Sequence, residues 1–352
     1  AGFVAGPLVG GMLGEISVHA PFWAAAALSA LAQDYPDIEF IFSDDSSSDD
    51  TYAIMQEIAD AGRQAGRRVV AIRTPSNFGI SRHLASLCER ATGEIFILQA
   101  ADDIARPNRV TELVKIFAAD PKARMVMSNV SIIDNSGAVI RPVYAPAGIL
   151  YSEDLITLVR NNFPWLVGAS EAIRREVFTE FGAAFFAACW EDYIFAFRAA
   201  LTGRILFCDQ VLLSWRHHHG NMSHFRDFTG TPESRARFAG HFLKNIRARI
   251  VYRKQQLIDL EKAVGRLPVD VAQEIRRLLV AGIDEARLEH AARSGARWKL
   301  MGALLRKGIR VKSSFPWLFR QVAIRACHNL YFRVVYDRLR SLVRKESHQP
   351  SN

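Results

Sequence analysis

Four clusters in this chain have the residue types and spacing to do chemistry. Asp102 and Asp103 follow the apolar run Glu94-Ile95-Phe96-Ile97-Leu98. Two adjacent carboxylates resist joint ionisation unless a counter-charge is near. A divalent cation supplies one: carboxylate oxygens suit magnesium or manganese, and such ions keep phosphate oxygens as further ligands. The pair also suits the start of the helix expected after Pro107, where acids cap well. Asp44-Asp45-Ser46-Ser47-Ser48-Asp49-Asp50 ends a second apolar run; it reads either as a polar loop with an N-cap or as a holder of a nucleotide's base and ribose. Trp190-Glu191-Asp192 sets two carboxylates beside an aromatic ring, which offers a general base next to a sugar-binding face, or a helix start whose acids favour the dipole. In His217-His218-His219 at most two rings can face one site on an extended chain, for metal or phosphate contact; a solvated loop is the plainer alternative.

Elements must bring these clusters together. Residues 22–33 and 51–65 have helical composition or periodicity, as do 80–91 and the stretch after Pro107. Between them lie strand-like runs at 38–42, 68–72, 94–98 and 123–130. Alternation of this kind predicts an α/β fold with a mostly parallel sheet flanked by helices. Ligands of such sheets collect beyond the carboxyl ends of strands, where both Asp-Asp pairs fall. After about residue 231 the pattern becomes long, Arg-rich and helical, so the expected organisation is a catalytic domain over 1–230 and a basic helical extension over 231–352.

Composition narrows the classes. With 352 residues and 49% hydrophobic side chains the chain can bury a core, which argues against wholesale disorder. The net charge of +9 is uneven: residues 231–352 hold 26 Lys and Arg against 10 Asp and Glu, leaving the front acidic. The front can hold a metal and the back can meet something anionic. Cys88, Cys189, Cys208 and Cys327 form no C-x-x-C pair, which points away from zinc or a disulfide framework and towards a cytoplasmic setting. No apolar run has the length of a membrane span, and the apolar start lacks a basic leader.

The order of the clusters is more specific than any one. LAQDYPDIEFIFSDDSSSDDT, SNFGISRHL, ATGEIFILQAADDIARPNRV, GASEAIRREVFTEFG and WEDYIFAFRAALTGRILFCDQVLLSWRHHHGNMS together resemble glycosyltransferase family 2, over about residues 20–224. The resemblance implies the GT-A fold and an inverting, metal-dependent transfer from a nucleotide sugar. It implies that Asp45, with Asp44, meets a uracil-type base, that Arg82 touches donor phosphate, and that Asp103 binds Mn2+ or Mg2+ with Asp102 near the ribose or sugar. It makes Asp192 the catalytic base with Glu191 beside it, and puts His218 near metal and diphosphate, with His217 and His219 as bystanders. Gly168, Ala169 and Ser170 would line the sugar and acceptor side, near Trp190. In place of the family's first strand stands the glycine-rich LVGGMLGEISVHAPFW.

Segment 300–344 mixes Leu, Phe, Trp and Tyr with many basic side chains. It reads as a peripheral contact with an anionic membrane surface, suited to a lipid-linked glycan acceptor, or as a helical cap with a solvated basic face. Nucleic acid is not expected, since no binding motif accompanies the charge. The competing functions are a nucleotide- or glycan-binding relative without turnover, and a membrane-surface scaffold.

Overall fold

The computed structural model describes residues 2–5, 20–149, 151, 154–182, 190–217 and 232–294. In chain order the elements are β1 (Gly2–Ala5), α1 (Ala20–Leu31), β2 (Glu39–Asp44), α2 (Thr51–Gln64), β3 (Arg68–Arg73), α3 (Ile80–Arg90), β4 (Ile95–Gln99), β5 (Ile104–Ala105), α4 (Arg109–Ala119), β6 (Ala123–Ile133), β7 (Val139–Arg141), α5 (Leu155–Arg160), a 3-10 turn (Gly168–Ser170), β8 (Glu171–Arg174), α6 (Glu176–Thr179), α7 (Glu191–Thr202), β9 (Arg204–Arg216), α8 (Pro232–Lys262) and α9 (Val269–Arg293). The strands form one sheet in the order β3-β2-β1-β4-β8-β6-β9-β5, with β7 on β6. Strands β3, β2, β1 and β4 are parallel; β8 runs antiparallel to both β4 and β6, and β9 returns parallel to β6. The α/β class and the alternating first half agree with the sequence reading, while the half beyond β4 is mixed.

One expectation is corrected at the sheet's centre. The strand between β2 and β4 is Gly2–Ala5, not the glycine-rich stretch 8–19. Phe3 and Val4 are good strand formers, whereas glycine weakens a strand. Residues 8–19 lie outside the described residues.

The chain divides into two compact units. One comprises 1–238 and 248–283, the other 239–247 and 284–352. In the first, apolar residues of β4, β6, β8, α3 and α7 form a core with Leu260, Ala263, Ile275 and Leu279 of α8 and α9. Phe178 stands edge-on to Phe96 at 4.7 Å and to Phe195 at 4.9 Å, joining α6, β4 and α7. Such ring pairs contribute about 0.5–1.5 kcal/mol beyond their area. In the second unit Arg247 Nε donates to His290 Nε2 at 3.0 Å.

Helix α7 is apolar nearly all round: Ile194, Phe195, Ala196, Phe197, Ala199 and Leu201 are buried, as expected of a helix enclosed in a core. It ends at Gly203, where a Cβ would lie 2.2 Å from the Lys122 carbonyl oxygen. Gly203→Ala therefore forces backbone apart where Arg204 N–H donates to that same carbonyl. The expected loss is about 1–3 kcal/mol, seen as a lower midpoint in chemical denaturation; an unchanged midpoint would show that the two strands separate freely there. No helix of the described residues is long and apolar enough to cross a membrane.

Candidate active site

Strand β2 delivers Asp44 and Asp45 to its carboxyl end, both buried. Asp44 accepts from Ser47 N–H at 3.1 Å and pairs with Arg73 Nε at 3.1 Å. Asp45 accepts from Phe78 N–H and Gly79 N–H at 2.8 Å each, and from Thr74 Oγ1 at 2.9 Å. It thus clamps the Asn77-Phe78-Gly79 loop that opens α3, where Gly79 takes the positive φ of 74° that glycine tolerates best. An ionised carboxylate has about four acceptor positions, so the loop leaves Asp45 capacity for a ligand. Ser46, the residue after Asp45, has φ 65°, a left-handed conformation rare outside glycine. Arg82 is exposed, its guanidinium 4.3 Å from the centre of the Phe78 ring.

His83 joins this end unforeseen. Its Nε2 lies 2.5 Å from Ser43 Oγ, and both are buried. Burial holds its pKa down against the pull of Asp45 and Asp44, so the ring is neutral at pH 7 and fixes the α3 side of the loop. The sequence signal was a histidine one turn into the helix behind N-x-G.

After β4 the chain carries Asp102 and Asp103. The helix-cap reading of Asp103 is corrected: α4 begins at Arg109 with Asn108 as its N-cap. Asp103 is fully buried and accepts the backbone N–H of Arg216, from β9, at 2.8 Å; its Oδ2 has no hydrogen-bond partner among the described residues. Burial first, then the neighbouring Asp102, raises its pKa well above the usual carboxylate range. Arg216 braces the same turn, donating to the carbonyls of Asp102 at 2.9 Å and Asp134 at 2.7 Å.

Arg109 is the second residue that sequence reasoning passed over, although it ends the A-R-P-N-R run. It is fully buried and donates 2.8 Å bonds to the carbonyls of Leu98, at the end of β4, and Ala169, in the 3-10 turn. Burial lowers its pKa to about 10, against the pull of Asp103; it stays charged at neutral pH. One cation therefore ties the Asp103 strand end to the turn at Gly168.

That turn abuts the third cluster. A Cβ placed on Gly168 would lie 3.5 Å from Asp192 Cβ and 3.8 Å from its Oδ2. Glu191 and Asp192 form the first turn of α7 and are half-buried. Burial raises Asp192 to about 6, and burial together with Asp192 raises Glu191 to about 8. Glu171, at the start of β8, is a third acid here that the sequence reading did not single out. It is fully buried, neither oxygen has a partner among the described residues, and burial plus Asp192 and Glu191 push its pKa well up. Ser170 is fully buried, with its hydroxyl donating to the Val167 carbonyl at 2.9 Å, whereas Gly168 and Ala169 are half-buried beside Asp192. Trp190 stacks on Tyr193 at 5.6 Å, and Tyr193 on Tyr252 of α8 at 4.9 Å. His217 stands edge-on to Trp215 at 4.2 Å; His218 and His219 lie outside the described residues. Among the described residues no group of three or more His, Cys, Asp or Glu is placed to hold a metal ion.

The described part of the molecule thus links the Asp103 strand end, through Arg109 and the 168–170 turn, to a carboxyl poised between its neutral and ionised forms. The sequence model described as Glycosyl transferase family 2 matches residues 21–182. An uncharacterised glycosyltransferase of Nostoc sp. is 26% identical over 226 residues, covering 62% of this chain and 67% of the relative. Among solved structures, Staphylococcus aureus TarS aligns over 80% of this chain at 12% identity and a TM-score of 0.47; the alignment spans 54% of the TarS chain. A mannosyltransferase of Pyrobaculum calidifontis, solved with GDP-Man and Mn2+, aligns over 96% of this chain and 83% of its own at 17% identity and a TM-score of 0.48. The identifying match is therefore to glycosyltransferase family 2, over residues 21–182 of the chain.

Proposed function

We propose that the chain transfers a sugar, with inversion, from a UDP-sugar to a hydroxyl of a glycan, and that Asp192 is the base. The observation that supports this reading most is the close approach of Asp192 to Gly168, which is tied through Ala169 and Arg109 to Asp103. Asp192 takes the proton of the acceptor hydroxyl as its oxygen attacks the anomeric carbon. With one base and no enzyme nucleophile, a single displacement inverts the centre, through an oxocarbenium-like transition state. Asp45 holds the donor loop and offers its remaining acceptor position to the base, while Arg82 answers the phosphates from the next helix. Burial holds the Asp192 carboxyl up to about 6, with Glu191 beside it in the first turn of α7.

The buried Oδ2 of Asp103, without a hydrogen-bond partner among the described residues, and the carboxylate of Asp102 beside it fit a hard divalent cation, Mn2+ or Mg2+. Asp103 and Asp102 would hold it, with His218 as a further ligand. Bound there, the ion would neutralise charge growing on the departing diphosphate. The basic segment 300–344, outside the described residues, would hold the enzyme at an anionic membrane surface near a lipid-linked or polysaccharide acceptor; sedimentation with anionic vesicles, lost on deletion of 300–352, tests that contact.

Calorimetric titration with UDP tests the donor reading. Binding that requires manganese and disappears with chelator is expected, as is a loss of at least tenfold in Asp103→Asn. Absence of binding by a folded sample in both conditions would refute the UDP-dependent reading. The base reading has its own test in pH. Asp192 must be ionised to act and its pKa is raised to about 6, so kcat/KM should rise tenfold per unit up to about pH 6 and level off above. A profile flat down to pH 4.5 would remove Asp192 from the role.

A further inference from the structure

The loop between α5 and the 168–170 turn is held in an unusual backbone state. Asn162, Phe163 and Trp165 have φ of 53°, 48° and 64°; among the described residues, the other non-glycine with positive φ is Ser46, at the donor end. Conformations of this kind persist only where surroundings enforce them, and they gather at ligand clamps. Here the surroundings are specific. Phe163 is buried, and Asn162 Oδ1 accepts from Tyr252 Oη at 2.9 Å and Arg253 Nη2 at 3.3 Å, both from α8. Tyr151 donates its hydroxyl to the Pro164 carbonyl.

The outcome of this bracing is that Trp165 is turned outward. It is 41% exposed, and among the described residues it is the one aromatic in the set of large apolar side chains left at the surface. Behind it stands a row of rings. Tyr144 meets Trp165 edge-on at 5.9 Å and Trp215 at 5.7 Å, and both Tyr144 and Trp215 are half-buried. The position matters as much as the ring. Trp165 precedes Gly168 by three residues, so it lies within about 11 Å of it, and a Cβ on Gly168 would meet the Asp192 side chain at 3.5 Å. Trp215 is the residue before Arg216, whose N–H binds Asp103. By strand order the row sits on the β6–β9 side of β4, while Asp44 and Asp45 end β2 on the opposite side. A donor base held by Asp45 does not reach it.

We propose that Trp165, backed by Tyr144 and Trp215, is an acceptor subsite that stacks the apolar C–H face of a pyranose ring, one or more units along from the sugar whose hydroxyl faces Asp192. An indole fits because it supplies a broad, stiff apolar face with a polar edge, and sites for small molecules combine such faces with a few polar groups. The acceptor class that such a subsite takes is a saccharide of at least two linked rings, one presenting its hydroxyl to Asp192 and another stacking on Trp165. This inference rests on the assignment of Asp192 as the base.

The experiment uses the full chain and its Trp165→Ala and Trp165→Phe variants. Probes are chitotriose, cellotriose, maltotriose and mannotriose, each against its monosaccharide, followed by tryptophan fluorescence, with UDP and manganese titrated in parallel. At least one trisaccharide should bind the wild type more than tenfold tighter than its monosaccharide. Trp165→Ala should weaken that binding at least tenfold, Trp165→Phe less, and both should bind UDP as the wild type does. Binding of no trisaccharide by a chain that binds UDP, or equal trisaccharide binding by Trp165→Ala, overturns the subsite. Trisaccharide binding that depends on Trp165 in a chain that never binds UDP leaves the subsite standing and removes the donor reading instead.

Discussion

Asp192→Asn should bind UDP like the wild type and transfer sugar at least a thousandfold more slowly, since a positioned base contributes about 10²–10⁴ in rate. The same substitution should make the protein more stable at neutral pH. The folded-state pKa of Asp192 is raised to about 6 from the ordinary aspartate value of 3.8, so between these values the folded protein holds more protons than the unfolded chain. Stability falls as pH rises through that window, and the deficit is complete above pH 6. Removing the carboxylate should recover roughly 1–3 kcal/mol at pH 8 and almost nothing at about pH 2.5, where both states are protonated. Thermal melting of the two proteins at the two pH values checks the sign. Equal melting at pH 8 would mean the site is wetter than its burial indicates, and turnover in the variant would assign the base elsewhere.

Arg198→Met should be the most damaging single change in the described core. Arg198 and Asp259 are both fully buried and joined by two bonds, Nε to Oδ2 at 2.8 Å and Nη2 to Oδ1 at 3.1 Å. Gln255 also donates to Asp259 at 2.9 Å, and Arg198 Nη1 donates to the Gly182 carbonyl at 2.8 Å. Removing the cation leaves the Asp259 carboxyl without its ion-pair partner in a dry place, at a cost of about 3–5 kcal/mol. The double variant Arg198→Met with Asp259→Leu should return most of that loss, because buried pairs are often replaced by apolar residues with little net effect. Guanidinium denaturation of the two variants measures it. A single variant within about 1 kcal/mol of wild type would show that water reaches the pair.

The sequence reading succeeded where function and folding rely on local pattern. The strands around residues 38–42, 68–72, 94–98 and 123–130 all form, as do helices at 22–33, 51–65 and 80–91, each within a few residues. It failed where the deciding partner is distant. Asp103 looked like a helix cap because a helix follows, but its partner is Arg216, 113 residues away. Arg109 and His83 looked like ordinary helical residues; their roles come from Ala169 and Ser43, 60 and 40 residues off. Glu171 was hidden for another reason. A glutamate in a four-residue strand carries no periodic signal, and its significance comes from the enclosure that strips both oxygens of partners. Strand β1 was missed because Gly2–Ala5 is too short for alternation to register.

Helix α8 has a consequence for how portable the catalytic part is. Residues 1–238 and 248–283 share one compact unit, while 239–247 in the same helix belong to the other. Asp259 of this helix neutralises Arg198, and Tyr252 stacks on Tyr193 and grips Asn162. The stretch that matches the family therefore cannot be lifted out as a cassette ending near residue 230. A chimera made there would sever the helix that neutralises its own core and holds Asn162 through Tyr252. Grafting that respects the architecture must carry the sequence through at least residue 283, so that recombination within such a family is constrained by a helix rather than by a linker.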